Sequence, residues 1–466
     1  MDSIAKAARP SPQVDKRAVL LVAVVASFLT PFMGSSINVA IPSIGREFSA
    51  SAVSLTWIAT IYLLTAAMFL VPMGKFADNT GRRRVFLAGM VGYTIVSLLC
   101  TVATSESMLI ALRALQGFTD AMLFGTSVAI VTSVFPPQER GRALGINVAG
   151  TYVGLSLGPV IGGSMTHFLG WRSIFILTAA LGLLAVVLTM RNIKGEWADP
   201  HGEKLDVAGS LLYGLTLLAL MYGLSLLPSP SGLWLIAAGL ACLVAFVLWE
   251  GHVPNPVLDV SLLRRNTVFS LSLLAALINY AATFALGFML SLYLQYVKGL
   301  DANTTGLIIL SQPVMMAVFS PLAGRLSDRI EPRLIASAGM ALTTVGLLMV
   351  AFVNEASGLP QIVAALTLCG LGFAFFSSPN MNAIMSSVDR RIYGVAASTA
   401  GVMRLIGQML SMGVAALIIA VYVGNAQLAP AYYPAFMSGF HFAFFFFAAL
   451  CLVGVFASLA RARVRS

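Results

Sequence analysis

Long runs of apolar residues recur along the whole chain, and they constrain its fold more than any other feature. A helix needs about 20 consecutive apolar residues to cross the hydrocarbon core of a bilayer, and most of these runs reach that length. The composition agrees, since 58% of the 466 residues are hydrophobic, only 10% are charged and the mean hydropathy is +0.90. The predicted fold class is therefore an all-α membrane protein.

Fourteen such runs predict fourteen transmembrane helices, numbered here as spans 1 to 14. The first run is too long for the core of a signal peptide, and no small-residue cleavage site follows it. Trp57 then opens a second run soon afterwards, so we expect the first to remain as span 1. The predicted spans cover about 18–41, 53–74, 85–104, 107–133, 143–167, 172–190, 206–227, 232–250, 268–296, 304–325, 334–353, 360–385, 393–422 and 438–460.

Basic residues test the number of spans and their orientation, because cytoplasmic loops of membrane proteins are enriched in Lys and Arg. With the N-terminus inside, most of the 28 Lys and Arg residues fall in cytoplasmic segments. The outer side receives Arg46, Arg172 and Lys298, and only Arg113 and Arg404 lie within spans. This asymmetry predicts a multi-pass inner-membrane protein with both termini in the cytoplasm. It also accounts for the net charge of +10 without a nucleic-acid partner, because these loops lie beside anionic lipid headgroups.

A repeated loop divides the chain into two halves. Each copy has a glycine, an aspartate four residues later and trailing arginines, namely Gly74, Asp78, Gly81, Arg82 and Arg83 after span 2, and Gly324, Asp328, Arg329 and Arg333 after span 10. Transporter folds are commonly built from such repeats. The repeat predicts two six-helix bundles, at residues 1–191 and 256–466, with spans 7 and 8 inserted between them as a hairpin at residues 192–255.

The two charged loops are predicted to act as a conformational latch. A glycine lets two helices approach closely, an aspartate can face a neighbouring helix N-terminus, and arginines bind lipid phosphates or acids. Such a cluster would hold one state of a rocking bundle. The alternative is an ordinary basic loop that only obeys the topology rule.

Span 5 carries a stripe of glycines on one helix face. The motif consists of Gly150, Gly154, Gly158 and Gly162, with Pro159 and Gly163 beside them. Small residues spaced four apart let a helix pack tightly against another, and the proline allows a kink. A role in packing alone is the alternative, although packing is also how the motif would work.

These motifs together resemble the major facilitator superfamily, specifically its fourteen-span drug:proton antiporters, over essentially the whole chain. The loop at 74–83 resembles the superfamily's motif between spans 2 and 3, and Arg113-Ala-Leu-Gln116-Gly117 resembles the span 4 motif linked with proton coupling. The span 5 stripe resembles the signature of antiporters that export. The resemblance implies a monomeric, multidrug-type exporter of amphipathic small molecules that works by alternating access among membrane lipids. The proton gradient would supply its energy, no cofactor would be needed, and antibiotic resistance would be one outcome.

One position departs from the family pattern. Members typically carry an acid in span 1 several residues before an Asn-Val-Ala-Leu-Pro-like run, and Met33 occupies the matching position here. Asp120 in span 4 is the only acid at mid-span, on the same helix face as Arg113 and about 10 Å from it, with Gln116 between them. A carboxylate at bilayer depth is costly and is therefore functional by default. We predict that Asp120, Arg113 and Gln116 form the proton-coupling site; the alternative is that Asp120 is a structural ion-pair partner of an arginine.

The substrate pocket is predicted only as a set of candidates. They are aromatic, methionine, amide and arginine side chains at plausible depth: Phe32, Met33, Asn38, Trp57, Tyr62, Asn147, Tyr152, Asn279, Tyr280, Phe284, Gln312, Met316, Asn380 and Arg404. Aromatic and methionine side chains suit adaptable recognition. For each single residue the alternative is a role in packing or in contact with lipid. The phenylalanine run 444–447 is predicted to face lipid.

Other classes of function have less support. The sequence has no glycine-rich phosphate loop, nucleophile triad or histidine cluster, so no enzyme activity, ATP hydrolysis or metal site is expected. Two alternatives to small-molecule export remain open. One is an exporter or flippase for a lipid or lipid-linked product, in which spans 7 and 8 shape a lateral opening. The other, of a different class, is a non-transporting membrane receptor or scaffold.

Overall fold

The computed structural model describes residues 16–193, 206–254, 256–258, 260–389 and 393–461, and this part of the chain is helical without a β-strand. Its α-helices are α1 Lys16–Phe48, α2 Ala52–Thr80, α3 Arg82–Thr101, α4 Glu106–Val134, α5 Pro137–Leu169, α6 Arg172–Asn192, α7 Val207–Leu226, α8 Pro230–Glu250, α9 Val260–Arg265, α10 Thr267–Thr283, α11 Ala285–Leu292, α12 Ala302–Ile309, α13 Ser311–Ser327, α14 Pro332–Ala351, α15 Leu359–Ser386, α16 Tyr393–Tyr422 and α17 Tyr433–Leu459.

Fourteen helical segments in the described residues are long and apolar enough to cross a membrane, as predicted. Helices α1 to α8 form spans 1 to 8, and α14 to α17 form spans 11 to 14. Span 9 combines α10, α11 and the π-helix Tyr293–Val297, and span 10 combines α12 and α13. Several helices extend beyond the predicted apolar runs, as α1 does at both ends. Hydropathy marks only the part that lies in hydrocarbon, whereas backbone hydrogen bonding continues the helix into the interface.

The two sets of six spans pack in equivalent ways. In the first set α1 packs along α5, and α4 packs against α2 and α3. In the second set α10 packs along α16, and α15 packs against α13 and α14. The pairs α1–α5 and α10–α16 occupy the same places in the repeat. Each pair is the counterpart of the other in its own half.

The inserted hairpin lies over one seam between the halves. Helix α7 packs against α8, but it also contacts α2 of the first half and α16 of the second. The Tyr213 hydroxyl donates to the Ala67 carbonyl at 3.1 Å, and the Tyr222 ring packs edge-on against Trp57 with 6.0 Å between centroids. On the α16 side, Gly413 lies against the Met221 side chain. The insert therefore touches both bundles through one helix.

The halves are joined at the ends of the spans that are predicted to face outside. The Gln295 side chain donates to the Val39 carbonyl at 2.8 Å, and the Ala52 backbone NH donates to the Ala426 carbonyl at 3.0 Å. Both contacts end on a backbone carbonyl, and a third joins two side chains, since Ser164 Oγ donates to Asn303 Oδ1 at 2.7 Å. In this structure the halves are closed against each other on that side.

The prediction that the phenylalanine run 444–447 faces lipid is wrong for half of the run. Phe444 and Phe447 are fully buried, whereas Phe445 and Phe446 are 42% and 41% exposed. Phe444 packs against Phe440 at 4.6 Å and against Phe447 at 6.1 Å between ring centroids. A helix turns once every 3.6 residues, so four consecutive side chains cannot all face the same side.

Candidate transport site

Arg113 on α4 is the largest fully buried polar side chain in the first half. Its Nε donates to the Ile58 carbonyl at 3.2 Å, and its Nη1 donates to Gln116 Oε1 at 2.6 Å. The guanidinium also lies over the Tyr62 ring, 4.3 Å from the centroid. Gln116 in turn donates to Ser97 Oγ on α3 at 2.9 Å. Arg113 is thus held by α2 and by Gln116 on its own helix, and Gln116 is held in turn by α3.

Asp120 lies farther along α4 and is 3% exposed. Thr30 on α1 donates its hydroxyl to Asp120 Oδ1 at 2.5 Å. The Tyr62 hydroxyl lies beside the carboxylate but makes no hydrogen bond of good geometry with it. Among the described residues, no ion pair within 4.0 Å joins Asp120 to an arginine. The carboxylate is therefore buried and hydrogen-bonded, without the close ion pair of the structural alternative.

Arg404 on α16 brings a charge from the second half towards this carboxylate. Its guanidinium lies over the Phe124 ring of α4 at 4.7 Å and is within electrostatic range of Asp120. Its Nε is buried and has no hydrogen-bond partner in the described part of the chain. Arg113 shares a helix with Asp120, whereas Arg404 belongs to the other bundle. Arg404 therefore approaches Asp120 from across the interface between the bundles.

The glycine stripe of α5 lies against α1. A Cβ added at Gly154, Gly158 or Gly162 would collide with Phe28, Ser35 or Ser36 of α1, in that order, and one at Gly150 would be in tight contact with Val24. Ser36 Oγ also donates to the Gly158 carbonyl at 2.9 Å. Since α1 carries Thr30, this close approach helps set the position of the hydroxyl that binds Asp120.

The end of the same motif touches the second half. A Cβ on Gly163 would meet the backbone of Ala302 at the start of α12, and one on Gly306 would meet the Pro159 carbonyl. Gly150 to Gly162 therefore pack within the first bundle, whereas Pro159 and Gly163 form part of the seam between bundles. The sequence motif combines two different contacts.

The first copy of the charged loop is a cross-link between helices. Arg82 Nε donates to Asp78 Oδ1 at 2.7 Å, and its Nη1 donates to Ser133 Oγ on α4 at 2.8 Å. Gly81 between them has φ of +119°, in the left-handed region that favours glycine. Nothing lies within 4 Å of a Cβ built on Gly74, so this glycine is not in a tight contact of its own.

The second copy of the loop is arranged differently. Asp328 and Arg329 are exposed, and a Cβ on Gly324 would reach Ser378 only at 3.9 Å. Arg333 instead donates its Nη1 to the Arg461 carbonyl at 2.7 Å, at the end of α17. The two loops thus share a sequence pattern, but Arg82 of the first loop bonds to Asp78 and Ser133 whereas Arg333 of the second bonds to the end of α17.

Some of the predicted substrate-binding residues surround Arg404. Tyr280 on α10 and Tyr152 on α5 are partly exposed. Tyr280 is within electrostatic range of Arg404 and also of Tyr152. Asn279, next to Tyr280, is fully buried, and neither of its amide atoms has a partner in the described residues. Asn380 donates to the Ser272 carbonyl at 3.2 Å. Tyr152 and Tyr280 thus bring polar atoms of the two halves near each other, whereas the contact of Asn380 lies within the second half.

Other candidates lie in ordinary packing positions. Phe32 and Met33 have no exposed surface. Trp57 packs against the inserted hairpin, as described above. The Asn147 side chain accepts from Ser27 at 2.8 Å within the α1–α5 pair. Among the rest, Asn38 and Met316 are buried, and Phe284 and Gln312 are partly exposed.

Several residues of the network were missed by the sequence analysis. Thr30, Ser97 and Tyr93 contribute from α1 and α3, and Phe124 supplies the ring beneath Arg404. Each is a polar or aromatic side chain within an apolar run, and the sequence contains no other indication that it belongs to the network. Many similar residues elsewhere in the chain only bond to the preceding turn, as Thr60 does with the Thr56 carbonyl at 2.7 Å.

Two repeated bundles of membrane-spanning helices, with buried charges inside one and an arginine of the other directed towards them, are typical of a multi-pass membrane transporter. Residues 23–272 and 272–465 match the profile of the Major Facilitator Superfamily, and the chain belongs to that family. The predicted family and fold class are thereby confirmed. Membership of a family of transporters also agrees with the expectation that the protein is not an enzyme.

Curated relatives of similar length include exporters. The chain is 31% identical to the cephamycin export protein CmcT of Amycolatopsis lactamdurans, covering 98% of this chain and 96% of that protein. It is 31% identical to the multidrug resistance protein Stp of Mycobacterium tuberculosis, covering 84% and 74%. It is 30% identical to the riboflavin transporter RibZ of Clostridioides difficile, covering 82% and 83%.

The fold is also similar to that of solved transporters. A crystal structure of a bacterial homologue of the human lysosomal transporter Spinster aligns with a TM-score of 0.70 at 17% identity, covering 96% of this chain and 97% of that one. A peptide transporter in complex with alafosfalin aligns with a TM-score of 0.69 at 14% identity, covering 93% of each chain. At these identities the likeness concerns the fold alone.

Proposed function

We propose that this protein exports amphipathic small molecules by proton antiport, with Asp120 as the proton site. The observation that carries the proposal is the state of this carboxylate: it is buried, it is bound by Thr30, and no described residue forms an ion pair with it within 4.0 Å. A carboxylate locked to an arginine would stay ionised throughout a transport cycle. One held only by a hydroxyl is able to change its charge.

Movement between the bundles supplies the switch. A cation near a carboxylate stabilises the charged form by Coulomb attraction, and the effect is larger at low dielectric. Arg404 is near Asp120 when the halves are closed at their outer ends. Rocking to the opposite state separates α16 from α4, so Asp120 takes up a proton there. Returning brings Arg404 back and expels the proton to the other side.

Substrate release is tied to the same event. The partly exposed aromatic side chains Tyr280 and Phe124 are neighbours of Arg404, Tyr152 is a neighbour of Tyr280, and such rings suit an amphipathic compound. A substrate between the bundles occupies the space that Arg404 and Asp120 share. Protonation on the outer side changes the charge of that space and lowers its affinity, so proton entry drives substrate exit. CmcT and Stp, whose names describe export and multidrug resistance, support this direction of transport.

The two motifs outside the site have roles in this cycle. The seam made by Gly163, Pro159 and Gly306 closes the outer side, and the bonds from Arg82 to Asp78 and Ser133 latch the inner side of the first bundle. We place the protein in the inner membrane as a monomer with both termini in the cytoplasm. Reporter fusions at Arg264 should then report the cytoplasm, and fusions near Glu106 or Asp301 the outside. The predicted cytoplasmic loop at 194–204 lies outside the described residues, and an outside signal from it would contradict the topology.

Proteoliposomes test the coupling directly. We would load them with ethidium and with a neutral and an anionic dye, impose a proton gradient, and record dye flux and proton flux together. Wild-type protein should move at least one dye uphill with stoichiometric proton movement. Asp120→Asn, which keeps the shape but cannot titrate, should lose uphill transport and retain dye exchange at equal pH. Asp120→Glu should keep partial activity with a shifted pH optimum.

Glu355→Gln is the matched control, because it also neutralises one acid but lies exposed in an outer loop. It should behave as wild type. Equal proton-coupled flux in wild type and Asp120→Asn would refute the assignment of Asp120. If no dye moves under any gradient, while a long-chain lipid does, the substrate class is wrong and the protein is a lipid exporter.

A further inference from the structure

A second buried arginine lies far from the transport site, just beyond α17. Arg461 is 1% exposed, and its Nε, Nη1 and Nη2 are all buried without a hydrogen-bond partner in the described part of the chain. Arg461 forms no ion pair with a carboxylate of the described residues, and its burial lowers the pKa of this guanidinium to about 10. A guanidinium has five N–H donors and cannot be neutralised at physiological pH. Its burial without a counter-charge is therefore a strong sign of a missing anion.

The surroundings of Arg461 supply further unpaired donors. Arg333 contacts it through the hydrogen bond from Nη1 to the Arg461 carbonyl at 2.7 Å, and Arg333 Nε is also buried without a partner. Ser458, three residues before Arg461, has a fully buried hydroxyl that makes no hydrogen bond within the described residues. Two arginines thus lie in contact at one end of the second bundle, with Ser458 three residues from Arg461 along the chain, and each of the three side chains has a buried donor that lacks an acceptor among the described residues.

The position of the cluster fits an anion of the membrane surface. Arg461 follows the end of span 14 at Leu459, and Arg333 lies in the first turn of α14, which is span 11. The positive end of the α14 dipole points the same way. Both ends are on the predicted cytoplasmic side, at the level where lipid phosphates lie. The planar fork of a guanidinium matches a phosphate group in a two-bond geometry.

We propose that the cytoplasmic end of the second bundle binds a phosphate oxyanion, held by Arg461 together with Arg333 and Ser458. The anion accepts from the guanidinium of Arg461 and from the Ser458 hydroxyl, and it neutralises the buried charge. By doing so it ties α14 to α17 at their ends. The phosphate comes from an anionic lipid headgroup or from free phosphate, and the experiment separates these sources.

The test uses the full-length protein, purified in a maltoside detergent and stripped of lipid. Its thermal unfolding is measured alone and with phosphatidylglycerol, with diacylglycerol of the same acyl chains, or with inorganic phosphate; native mass spectrometry counts the retained lipid. Phosphatidylglycerol should raise the unfolding temperature of wild type, and diacylglycerol should not. Arg461→Gln should lose the shift, with affinity at least about tenfold weaker, since a charge-assisted pair of hydrogen bonds is removed.

Arg265→Gln is the matched control, because it removes an exposed arginine from the same predicted side. It should respond to phosphatidylglycerol as wild type does. A shift with inorganic phosphate but not with the lipid would assign the site to free phosphate. An equal lipid shift in Arg461→Gln, or no shift of wild type with either phosphate source, would overturn the proposal.

Two measurements keep the test decisive if Arg461→Gln behaves poorly. Without any phosphate, Arg461→Gln should be at least as stable as wild type, because it removes an uncompensated buried charge. Lower stability under those conditions would mean that the protein itself compensates the guanidinium, which contradicts the proposal. Ser458→Ala removes one donor and should weaken the lipid response several-fold while leaving transport of dyes unchanged.

Discussion

The two halves of this transporter share an arrangement of helices but place their charges differently. In the first half, Arg113 and Asp120 lie inside the bundle, in a network that joins α1, α2, α3 and α4. In the described part of the second half, the mid-membrane charge is Arg404, which faces Phe124 of the first half. The core of the second bundle is instead filled by rings such as Phe440 and Phe444. One half holds the buried carboxylate that we propose as the proton site, and the other brings an arginine towards it across the interface between the bundles.

The same contrast holds for the repeated loops. Arg82 in the first loop joins Asp78 to Ser133, which ties the start of α3 to the end of α4. Pro332 occupies the position of Arg82 in the second loop and cannot make those bonds. The next residue, Arg333, turns to the end of α17 instead. A sequence repeat therefore preserves the fold of each half without preserving what its side chains bind.

The largest effect is expected where the first half packs most tightly. Gly158→Leu should abolish export while leaving membrane insertion intact, because even a Cβ there collides with Ser35 and with the Phe32 carbonyl. Overpacking of this kind costs about 1–3 kcal/mol, and it pushes α1, with Thr30, away from Asp120. Dye efflux from cells with matched protein levels measures the effect.

Gly145→Leu provides the control on the same helix. Gly145 is exposed, and no atom lies within 4 Å of its Cβ position. That variant should transport normally. Normal efflux by a well-expressed Gly158→Leu protein would remove the argument that the stripe serves export.

The two mid-membrane arginines should differ in what they affect. Arg113→Gln should lower stability by about 2–4 kcal/mol, because it leaves Gln116 and other buried acceptors unsatisfied. Arg404→Gln should change stability by less than about 1 kcal/mol and should instead shift the pH dependence of export. Thermal unfolding in detergent and pH profiles of efflux separate the two outcomes. The same loss of stability in both variants would erase the distinction between the halves.

We expect an intermediate effect on transport when the aspartate of a repeated loop is neutralised. Asp78→Asn should slow transport roughly tenfold with little change in substrate affinity, because it weakens the charge-assisted bond with Arg82. Asp328→Asn is the matched variant in the second loop, and we expect a smaller loss there. Binding and turnover are measured separately in proteoliposomes. A loss of binding with unchanged accessibility of cysteine probes on either side would contradict the latch.

The smallest effect concerns the outer seam. Asp301 caps α12 by accepting from the Thr304 NH at 2.9 Å, and it lies 3.7 Å from His167 of α5. The bonds from the Thr304 NH and hydroxyl, with His167 nearby, hold the pKa of Asp301 below its usual value. Asp301→Ala should therefore cost about 1 kcal/mol, and Asp301→Asn much less because Asn also caps helices.

The pH dependence of this effect has a defined sign. The ionised form is favoured in the folded protein, so its contribution is present above the ordinary carboxyl pKa of about 3.9. It is lost as the pH falls below that value through the lowered pKa of Asp301. Unfolding temperatures of wild type and Asp301→Ala should converge in acid and differ at neutral pH. A constant difference across that range would contradict the assignment.

The sequence by itself determined the number of spans, the division into repeats and the family. These follow from hydropathy over about 20 residues and from motifs within one loop or one helix, which need no knowledge of neighbours. It also singled out Asp120 and the two mid-span arginines, because charge at bilayer depth is rare and therefore conspicuous. Four consecutive phenylalanines, in contrast, could not be assigned a side from hydropathy alone.

Only the tertiary structure decided which polar groups meet. Thr30 is 90 positions away from Asp120 along the chain, and no local pattern pairs them. The contact of Arg404 with Phe124 and the lone guanidinium of Arg461 likewise depend on how whole bundles are placed. Helices in a membrane satisfy their backbone hydrogen bonds internally, so each forms alone, but their mutual arrangement depends on side-chain packing between distant segments.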